Sequence, residues 1–403
     1  MNKKKEIDYI FLVEHPKREF EFINTIAKNL SLDKSVLICS IFYHIDLLLD
    51  YAPKVIIMPY CLSSNDWPFS YLKTRFKKSI FCSFNWEQNL HMFSKKFKSP
   101  KGDAIKVKHL AWNTDFKFFL ESNGVSDSDI YPSINPTAYL FNEVKNKKIK
   151  YFEDYLSDND ITDYIFFPMN YNWKFIKKEK KEHKIKSGYN RIHVDEYISF
   201  SENHFNYFIK LFEDITNNTN FKVVIRPHPS ITVNQYLNEL NKNSFLNKKI
   251  LQKQLIVTDD YSVLEWVRYS KFNISNWSTV IYDSYLAGFN SAYFYPEKVP
   301  DIIDAHYLQN SPRFTYLEEL HDISHVTSDA IEIETILNSL KNILQSNNLT
   351  TYSNVPIYLR YRGLLKLIRS KIFRKSHNLG IQNIIIPDRF APDYFNIVKY
   401  NDE

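Results

Sequence analysis

The segment FKVVIRPHPS, residues 221–230, predicts a buried strand that ends in a polar turn. Its first half, Phe221–Ile225, is a short apolar run of the kind that forms a buried parallel strand. A cation, an imidazole and a hydroxyl follow directly in Arg226, His228 and Ser230, on a turn stiffened by two prolines. Because open α/β sheets bind ligands outside the carboxyl ends of their strands, this turn is predicted to lie at a ligand site.

A second polar turn occurs one predicted βα unit later. Asn276-Trp277-Ser278-Thr279 precedes a helix predicted over Val280–Ala287. Backbone N–H groups at the start of a helix attract anions, and Ser278 and Thr279 add hydroxyl donors there. The two turns together predict a site for an anionic, phosphate-containing donor, with Asn276 among its residues.

Strand and helix signals alternate along most of the chain, which predicts βα units with parallel sheets. Strands are predicted at Asp8–Val13, Ser35–Ser40, Val55–Met58, Ser79–Ser83, Tyr164–Phe167, Phe221–Ile225, Leu255–Val257, Phe272–Ile274 and Ser291–Phe294. Helices are predicted at Glu19–Leu30, Tyr43–Asp50, His109–Asn123, Glu202–Thr216, Val233–Lys242, Ser262–Arg268 and Val280–Ala287. A length of 403 residues favours two domains. We place them at 1–150 and 151–345, followed by a helical, basic tail at 346–403.

The chain has only six glycines, and none are spaced as in a GxGxxG or Walker loop. This scarcity excludes a dinucleotide-binding Rossmann enzyme and a P-loop NTPase, so a phosphate must be held by helix N-termini and side chains. No DxD-type pair occupies an obvious donor loop, Asp259-Asp260 being the one weak candidate. We therefore expect no metal site, no cofactor and a metal-independent activity.

Charge, cysteine content and the length of apolar runs limit which partners and which location are expected for the protein. A formal charge of +6 and a pI near 8.8 suit a phosphorylated substrate or an anionic membrane surface, and are too diffuse to indicate nucleic acid. Cys39, Cys61 and Cys82 match no metal motif and are predicted to be reduced core thiols. Neither a signal peptide nor a run of ~18 apolar residues is found, so a cytoplasmic location is expected.

Two basic segments each allow two interpretations. The stretch Lys174–Lys186 is either an anion-attracting flap or a solvated loop or helix face. In the tail, Tyr358–Lys375 is strongly basic and carries leucines and isoleucines at helical spacing. It is either an amphipathic helix lying on an anionic membrane surface or a closing helix packed across the domains.

Transfer of a sugar from a nucleotide also needs a residue that manages a proton or a covalent intermediate. Glu14 follows the first strand at the predicted carboxyl edge of the first sheet, and Asp195 is a second candidate carboxylate. His228 is the candidate imidazole. Ser262 with Glu265 forms a capping-box pattern, and the Glu265 carboxylate could also accept from a ribose hydroxyl.

Further polar and aromatic residues of the first domain suit a sugar acceptor. Arg18 could meet a substrate carboxylate. Trp86 with Glu87, and His109 with Trp112, offer rings and a carboxylate for a glycan. Ordinary packing and surface charge are the alternative interpretation for each of them.

Several segments resemble bacterial surface-carbohydrate glycosyltransferases of the GT-B type. These are VEHPKREFEF, YHIDLLLDYAPKVIIMP, FFPMNYNW, IRPHPS and NWSTVIYDSYLAG, spread from about Phe11 to Phe294. The His-Pro turn with a later Ser/Thr turn is similar to enzymes that use CMP-activated acidic sugars, such as sialyltransferases and β-Kdo transferases. The resemblance implies two Rossmann-like domains facing a cleft, with His228 and Pro229 at the nucleotide and Ser278 and Thr279 at its phosphate.

No acidic-acidic-glycine motif of the sialyltransferase kind is present, and the Arg-Pro-His-Pro turn also occurs in CDP-glycerol polyol-phosphate transferases. The leading hypothesis is a transferase of capsule or lipopolysaccharide synthesis that moves a Kdo-like ulosonic acid from CMP to a lipid-linked glycan. A retaining enzyme of this kind would use a carboxylate as nucleophile. The alternatives are a polyol-phosphate or UDP-sugar transferase, or a non-catalytic carbohydrate-binding subunit of a capsule complex.

Overall fold

The computed structural model describes residues 4–42, 45–88, 99–295, 311–317, 319, 332–346, 350–378 and 398–400. The chain divides into two compact units. The first comprises the described residues of 1–88, 95–136 and 332–403, and the second comprises those of 137–331. The predicted boundary near residue 150 lies inside the second unit, and the C-terminal helices belong to the first.

The first unit is built on a seven-stranded sheet of order β13-β2-β1-β3-β4-β5-β6. All neighbours are parallel except β13, which pairs antiparallel with β2. Its strands are β1 (Lys5–Val13), β2 (Val36–Ser40), β3 (Tyr51–Met58), β4 (Ile80–Ser83), β5 (Lys108–Ala111), β6 (Ile130–Pro132) and β13 (Val398–Tyr400). Its helices are α1 (Pro16–Leu30), α2 (Phe69–Arg75), α3 (Thr114–Ser122), α12 (Glu334–Gln345) and α13 (Ile357–Asn378).

The second unit holds a six-stranded parallel sheet of order β12-β11-β10-β7-β8-β9. Its strands are β7 (Tyr164–Met169), β8 (Lys222–Pro227), β9 (Leu255–Val257), β10 (Phe272–Ser275), β11 (Ser291–Phe294) and β12 (Arg313–Phe314). Its helices are α4 (Pro136–Val144, whose first residue ends the first unit), α5 (Lys150–Asp158), α6 (Lys178–Lys186), α7 (Arg191–Asn218), α8 (Val233–Leu240), α9 (Ser244–Leu251), α10 (Val263–Tyr269) and α11 (Thr279–Leu286).

The central strands of both sheets are buried on both faces, which explains their nearly continuous apolar sequence. In β1 every residue from Tyr9 to Val13 is buried, and in β7 all six residues are. Helices on either side supply the covering side chains, as in other doubly wound α/β folds. The buried cysteines Cys39, Cys61 and Cys82 are free thiols of the first unit, as predicted, and burial raises the pKa of each.

Two local predictions of the first unit need correction. The helix predicted over His109–Asn123 is shorter, because its first residues form the end of β5. The helix α3 starts after Asn113, whose Oδ1 caps it by accepting from the Phe116 N–H at 3.2 Å. The predicted C-cap is confirmed, since Gly124 has φ +90° and its N–H donates to Glu121. The helix predicted over Tyr43–Asp50 is a 3₁₀ turn at Leu47–Asp50, and Tyr43 lies outside the described residues.

None of the helices in the described part of the chain combines the length and the apolar character needed to cross a lipid bilayer. The same residues contain no group of three or more His, Cys, Asp or Glu side chains arranged to hold a metal ion.

Candidate functional site

The strand order of the second unit reverses direction at one point of its sheet, next to β7. Chain order runs outward from β7 in both directions, through β8 and β9 on one side and β10, β11 and β12 on the other. This is the 3-2-1-4-5-6 order of Rossmann domains, in which ligands bind outside the carboxyl ends of the strands where the direction reverses. The reversal lies between β7 and β10, and β8 is the next strand. The two polar turns predicted from the sequence follow β8 and β10, so they flank this point.

His228 leaves the end of β8 with a defined tautomer. Its Nδ1 accepts from the Ser230 backbone N–H at 3.2 Å and lies 2.8 Å from the Ser230 hydroxyl. An atom that accepts from a backbone N–H carries no proton, so the neutral ring has its proton on Nε2. Burial and the nearby ammonium of Lys180 lower the pKa of His228 below its usual value. At neutral pH His228 therefore presents an uncharged N–H donor.

The rest of the pentapeptide supports this turn. Arg226 is half-buried, and its Nη1 donates to the backbone carbonyl of Asp260 at 2.8 Å, which ties the end of β8 to the loop after β9. Pro229 and Ser230 are exposed. The cation thus lies at the sheet edge while it also fixes the neighbouring loop.

The turn after β10 combines a buried bridge with an open helix start. The Asn276 side chain is fully buried and exchanges two hydrogen bonds with the backbone of Asn170, its Oδ1 accepting at 3.0 Å and its Nδ2 donating at 2.8 Å. This pair joins the ends of β10 and β7. The prediction that Asn276 binds the nucleotide donor is therefore corrected. Its amide holds the sheet edge together and is not directed at a ligand.

Ser278 and Thr279 stand at the N-terminus of α11, which runs for eight residues. Ser278 is the N-cap residue, yet its hydroxyl makes no capping hydrogen bond to the N–H groups of this described helix. Its carbonyl accepts from the Tyr293 hydroxyl at 2.8 Å, which fixes the turn. Thr279 is exposed. The first N–H groups of α11 therefore have no cap from the Ser278 side chain, and an uncapped helix N-terminus attracts anions.

The end of β7 carries two asparagines that the sequence pattern alone does not identify as site residues. Asn170 and Asn172 follow this strand, and the Oδ1 of each is buried with no hydrogen-bond partner among the described residues. Buried polar atoms are nearly always paired, so two unpaired acceptors at the strand reversal indicate a place where a ligand would bind. The segment FFPMNYNW carried the signal, since two asparagines directly follow a buried strand.

Most of the basic stretch Lys174–Lys186 lies in α6 (Lys178–Lys186), none of whose residues is more than partly buried. The ammonium of Lys180, on its first turn, is the one that acts on His228. Lys184 lies 4.9 Å from the ring centre of Trp173, and burial lowers its pKa. A solvated helix therefore also contributes positive potential near the end of β8.

The two acidic candidates of the second unit occupy different settings. Glu265 is buried on α10, where its Oε2 accepts from the Ser262 N–H at 2.9 Å and completes the predicted capping box. Its Oε1 accepts from the Tyr151 hydroxyl. Asp195 lies on α7, outside the strand ends, and pairs with Lys181 at 2.5 Å. The structure thus brings neither carboxylate into the turns that hold His228 and Ser278.

The carboxyl edge of the first sheet carries a linked set of charged groups. Chain order reverses between β1 and β3, and Glu14 follows β1 while Tyr60 follows β3. The Glu14 carboxylate accepts from the Tyr60 hydroxyl at 2.9 Å and lies 3.8 Å from the His15 ring. Its side chain is 13% exposed, which leaves it accessible from this edge.

Arg18 and its partners hold Glu14 in place. The Arg18 guanidinium pairs with Glu19 at 2.9 Å and with Glu87 at 3.1 Å. Burial raises the pKa of the Glu19 carboxyl, although Arg18 opposes that shift. Glu19 Oε2 accepts from the backbone N–H of Glu14 at 2.8 Å, so the chain that carries Glu14 is fixed by this network. Neither Glu19 nor Tyr60 was predicted, because their role depends on contacts between segments.

Two aromatic acceptor candidates are packed within the first unit. Trp86 is buried and stacks on Phe84 at 4.4 Å between ring centres. Trp112 is half-buried, and its backbone N–H donates to Gln88 at 2.8 Å. The indole Nε1 atoms of both are buried without a partner among the described residues. Each therefore has a donor that a bound hydroxyl could satisfy, while most of the Trp86 ring is used in packing.

His109 is the acceptor candidate that the structure contradicts. It is completely buried in β5, and its Nε2 lies 2.9 Å from the Ala104 carbonyl. Its Nδ1 lies 3.3 Å from the Asn85 amide. Burial lowers its pKa to about 4, so the ring is a neutral core residue. The sequence pattern does not separate this residue from an exposed one, because it predicts a helix where the strand β5 lies.

Two Rossmann-like units with largely parallel sheets, together with C-terminal helices, define an α/β protein of GT-B fold, as the sequence predicted. The UDP-GlcNAc 2-epimerase from Methanocaldococcus jannaschii is similar over 93% of this chain and 99% of that chain, with 10% identity and a TM-score of 0.50. The wall teichoic acid polymerase TagF matches with 9% identity, 93% and 90% coverage and a TM-score of 0.48. For a glycosyltransferase from Rickettsia africae ESF-5 these values are 13%, 92%, 99% and 0.42. No protein-family model and no curated protein sequence matches the chain.

Proposed function

We propose that the protein is a glycosyltransferase of bacterial surface-polysaccharide synthesis that takes its donor from a nucleotide held by the second unit. The observation that carries the proposal is the clustering of uncharged and cationic donors at the strand reversal of this unit. His228 offers Nε2–H after β8, and Ser278 heads an anion-attracting helix after β10. Because only β7 separates these strands, the two turns start about 10 Å apart, at about 4.8 Å per strand spacing. A nucleotide is long enough to contact both.

The roles of the two turns follow from their chemistry. A departing nucleotide phosphate gains negative charge, and donors that are already oriented stabilise this charge at little reorganisation cost. The Nε2–H of His228 and the first N–H groups of α11 are such donors. The side-chain oxygens of Asn170 and Asn172 can accept from ribose hydroxyls or from the amino group of a base.

We assign the catalytic carboxylate to Glu14 in preference to Asp195. Glu14 lies at a strand end, is oriented by Tyr60 and is partly accessible, whereas Asp195 is paired with Lys181 on a helix. In a direct displacement, the acceptor oxygen bonds to the anomeric carbon, the carbon–phosphate oxygen bond breaks, and the acceptor proton moves to a carboxylate that acts as general base. In a retaining enzyme the same carboxylate would be the nucleophile. In either reaction the phosphate leaves with the bonding electrons.

For the donor itself we propose a CMP-activated ulosonic acid such as CMP-Kdo, on the strength of the paired His-Pro and Ser/Thr turns, with a glycan as the acceptor. A CDP-polyol phosphate uses the same cytidine and phosphate contacts and is the second candidate. A UDP-sugar is the third.

Thermal-shift and calorimetric titration with CMP, CDP and UDP test the proposal. We expect stabilisation by CMP that is lost in His228→Ala. The matched control is His193→Ala, which removes an exposed histidine from α7 of the same unit. A response to UDP alone would exclude the CMP donor. Absence of any response, or an equal response of both variants, would refute the nucleotide site.

A further inference from the structure

The helix α13 exposes a continuous apolar stripe. Six of its large apolar side chains are between 46% and 72% exposed, namely Ile357, Tyr358, Tyr361, Leu364, Leu365 and Ile368. Their spacing of three and four residues places them on one face of the helix. A soluble helix normally buries such a face, so its exposure indicates an interaction surface.

The opposite face of α13 is fixed to the first unit. Leu359 is buried, and Gly363 lies so close to α2 that a Cβ at this position would be 2.7 Å from the Tyr71 ring. The Lys366 ammonium lies 4.6 Å from the ring centre of Trp67. At about 100° per residue these positions point about 180° away from the stripe. The stripe therefore does not face the sheet of its own unit.

The segment before α13 is anchored as well. The ring of Tyr352 packs edge-on against Phe69 and Phe81 at 5.4 and 5.6 Å. The Ser353 N–H donates to Asp103 at 2.9 Å. With both the helix and its leading segment held, the orientation of the stripe is set by the fold.

The charge around the stripe identifies the surface that it fits. From Ile357 to Asn378 the helix has seven Lys or Arg residues and no Asp or Glu. Arg360 lies along one margin of the stripe, and Arg362 and Arg369 lie along the other, by the geometry of an α-helix. Burial lowers the pKa of Lys366, and the like charges of Arg362 and Arg369 lower it further, which shows how concentrated the positive potential is. An apolar stripe with cations along both margins suits a helix in the interface of an anionic bilayer.

We propose that α13 docks this protein onto an anionic phospholipid surface, its stripe entering the acyl boundary and its arginines contacting the headgroups. A nucleic acid would use the cations but has no place for six exposed apolar side chains. The proposal depends on α13 alone and stands whether or not the protein binds a nucleotide.

Vesicle flotation of the full chain, without nucleotide, tests it. The probes are vesicles of phosphatidylcholine alone and vesicles with a third phosphatidylglycerol. We expect flotation only with the anionic vesicles, weakening as salt is raised from 0.05 to 0.5 M. Leu364→Asp/Leu365→Asp should lower partitioning at least about 100-fold, since it removes two apolar anchors and adds repulsion. Arg362→Gln/Arg369→Gln should lower it about 25-fold, at about fivefold per cation.

The matched control is Leu32→Asp/Leu251→Asp, which makes the same change at leucines that are 86% and 78% exposed elsewhere. It should float like the wild type, and far-UV circular dichroism should show all variants folded. Equal flotation of the stripe variant and the wild type would overturn the proposal, as would no flotation of the wild type. A wild-type dimer that Leu364→Asp/Leu365→Asp converts to monomer, with vesicle binding unchanged, would assign the stripe to a second copy of the chain.

Discussion

The salt bridge between Lys73 and Asp103, which also holds Ser353 in the segment before α13, gives a quantitative prediction. Lys73 and Asp103 are 2.6 Å apart, and their side chains are only 1% and 4% exposed. Asp103 also accepts from the backbone N–H of Ser353 at 2.9 Å and from its hydroxyl. Burial alone would raise the pKa of the Asp103 carboxyl, but hydrogen bonds from Lys73 and Ser353 hold it below its usual value. The carboxylate is therefore ionised and serves three donors at once.

Substitution Asp103→Ala would leave the Lys73 ammonium buried without its main partner and the Ser353 N–H without an acceptor. Breaking a buried ion pair from one side costs about 3–5 kcal/mol of unfolding free energy. Lys73→Met should cost less, because Asp103 keeps its bonds from Ser353 and a second cation, Lys106, at 3.7 Å. The double variant should be more stable than Asp103→Ala, since it removes the stranded charge.

Urea unfolding followed by hydrogen exchange measures this effect for each unit separately, which a two-unit chain requires. We expect destabilisation in peptides of the first unit and unchanged protection in those of the second. The depressed pKa of Asp103 means that its contribution is present above the unfolded value of about 3.8–3.9 and is lost as the pH falls through the folded value. A loss below about 1 kcal/mol in Asp103→Ala, or a double variant that is no more stable, would refute this reasoning.

Three further predictions concern the two sheet edges and the core. Glu14→Gln should lower kcat about 10²–10⁴-fold in a transfer assay while leaving the nucleotide Kd unchanged, because it removes the proton acceptor and not a donor contact; a matching rise in Kd would contradict this role. Asn276→Ala should destabilise the second unit by about 2–4 kcal/mol in urea unfolding and weaken nucleotide binding, because the Asn170 backbone loses two hydrogen-bond partners. The control is Asn290→Ala, which removes one exposed hydrogen bond to Lys271 and should cost less than about 1.5 kcal/mol. Burial lowers the pKa of His109 to about 4 and that of His204 to about 3, whereas the unfolded chain takes up protons near pH 6.5. Acidification from pH 7 to 5 should therefore lower the free energy of unfolding by about 2 kcal/mol for each histidine. A flat stability profile over this range would show that these rings are protonated in the fold.

The fold could be predicted because its evidence is local. A strand such as Phe221–Ile225 is recognised from apolar, β-branched residues, and the alternation with helices gives a parallel sheet. The capping box of Ser262 with Glu265 and the C-cap at Gly124 depend only on residues close in sequence that have defined backbone preferences. The strand at His109 was missed because a four-residue buried strand followed by a helix has no period of its own.

The candidate site was predictable only in part, since its remaining members depend on contacts between distant segments. His228 and Ser278 follow their strands directly, so strand ends located them. Nothing local showed that Asn276 would bond to the Asn170 backbone, 106 residues away, or that Tyr60 would orient Glu14, 46 residues away. Likewise, composition alone left open which face of α13 is exposed, and packing against Tyr71 decides it.

The most direct test of the central claim is a crystal structure of the chain with CMP or a CMP-sugar bound. We predict that the phosphate lies within hydrogen-bond distance of His228 Nε2 and of the first N–H groups of α11, with the nucleoside beside Asn170 and Asn172. A nucleotide bound at the carboxyl edge of the first sheet, or one that contacts neither His228 nor Ser278, would contradict the account.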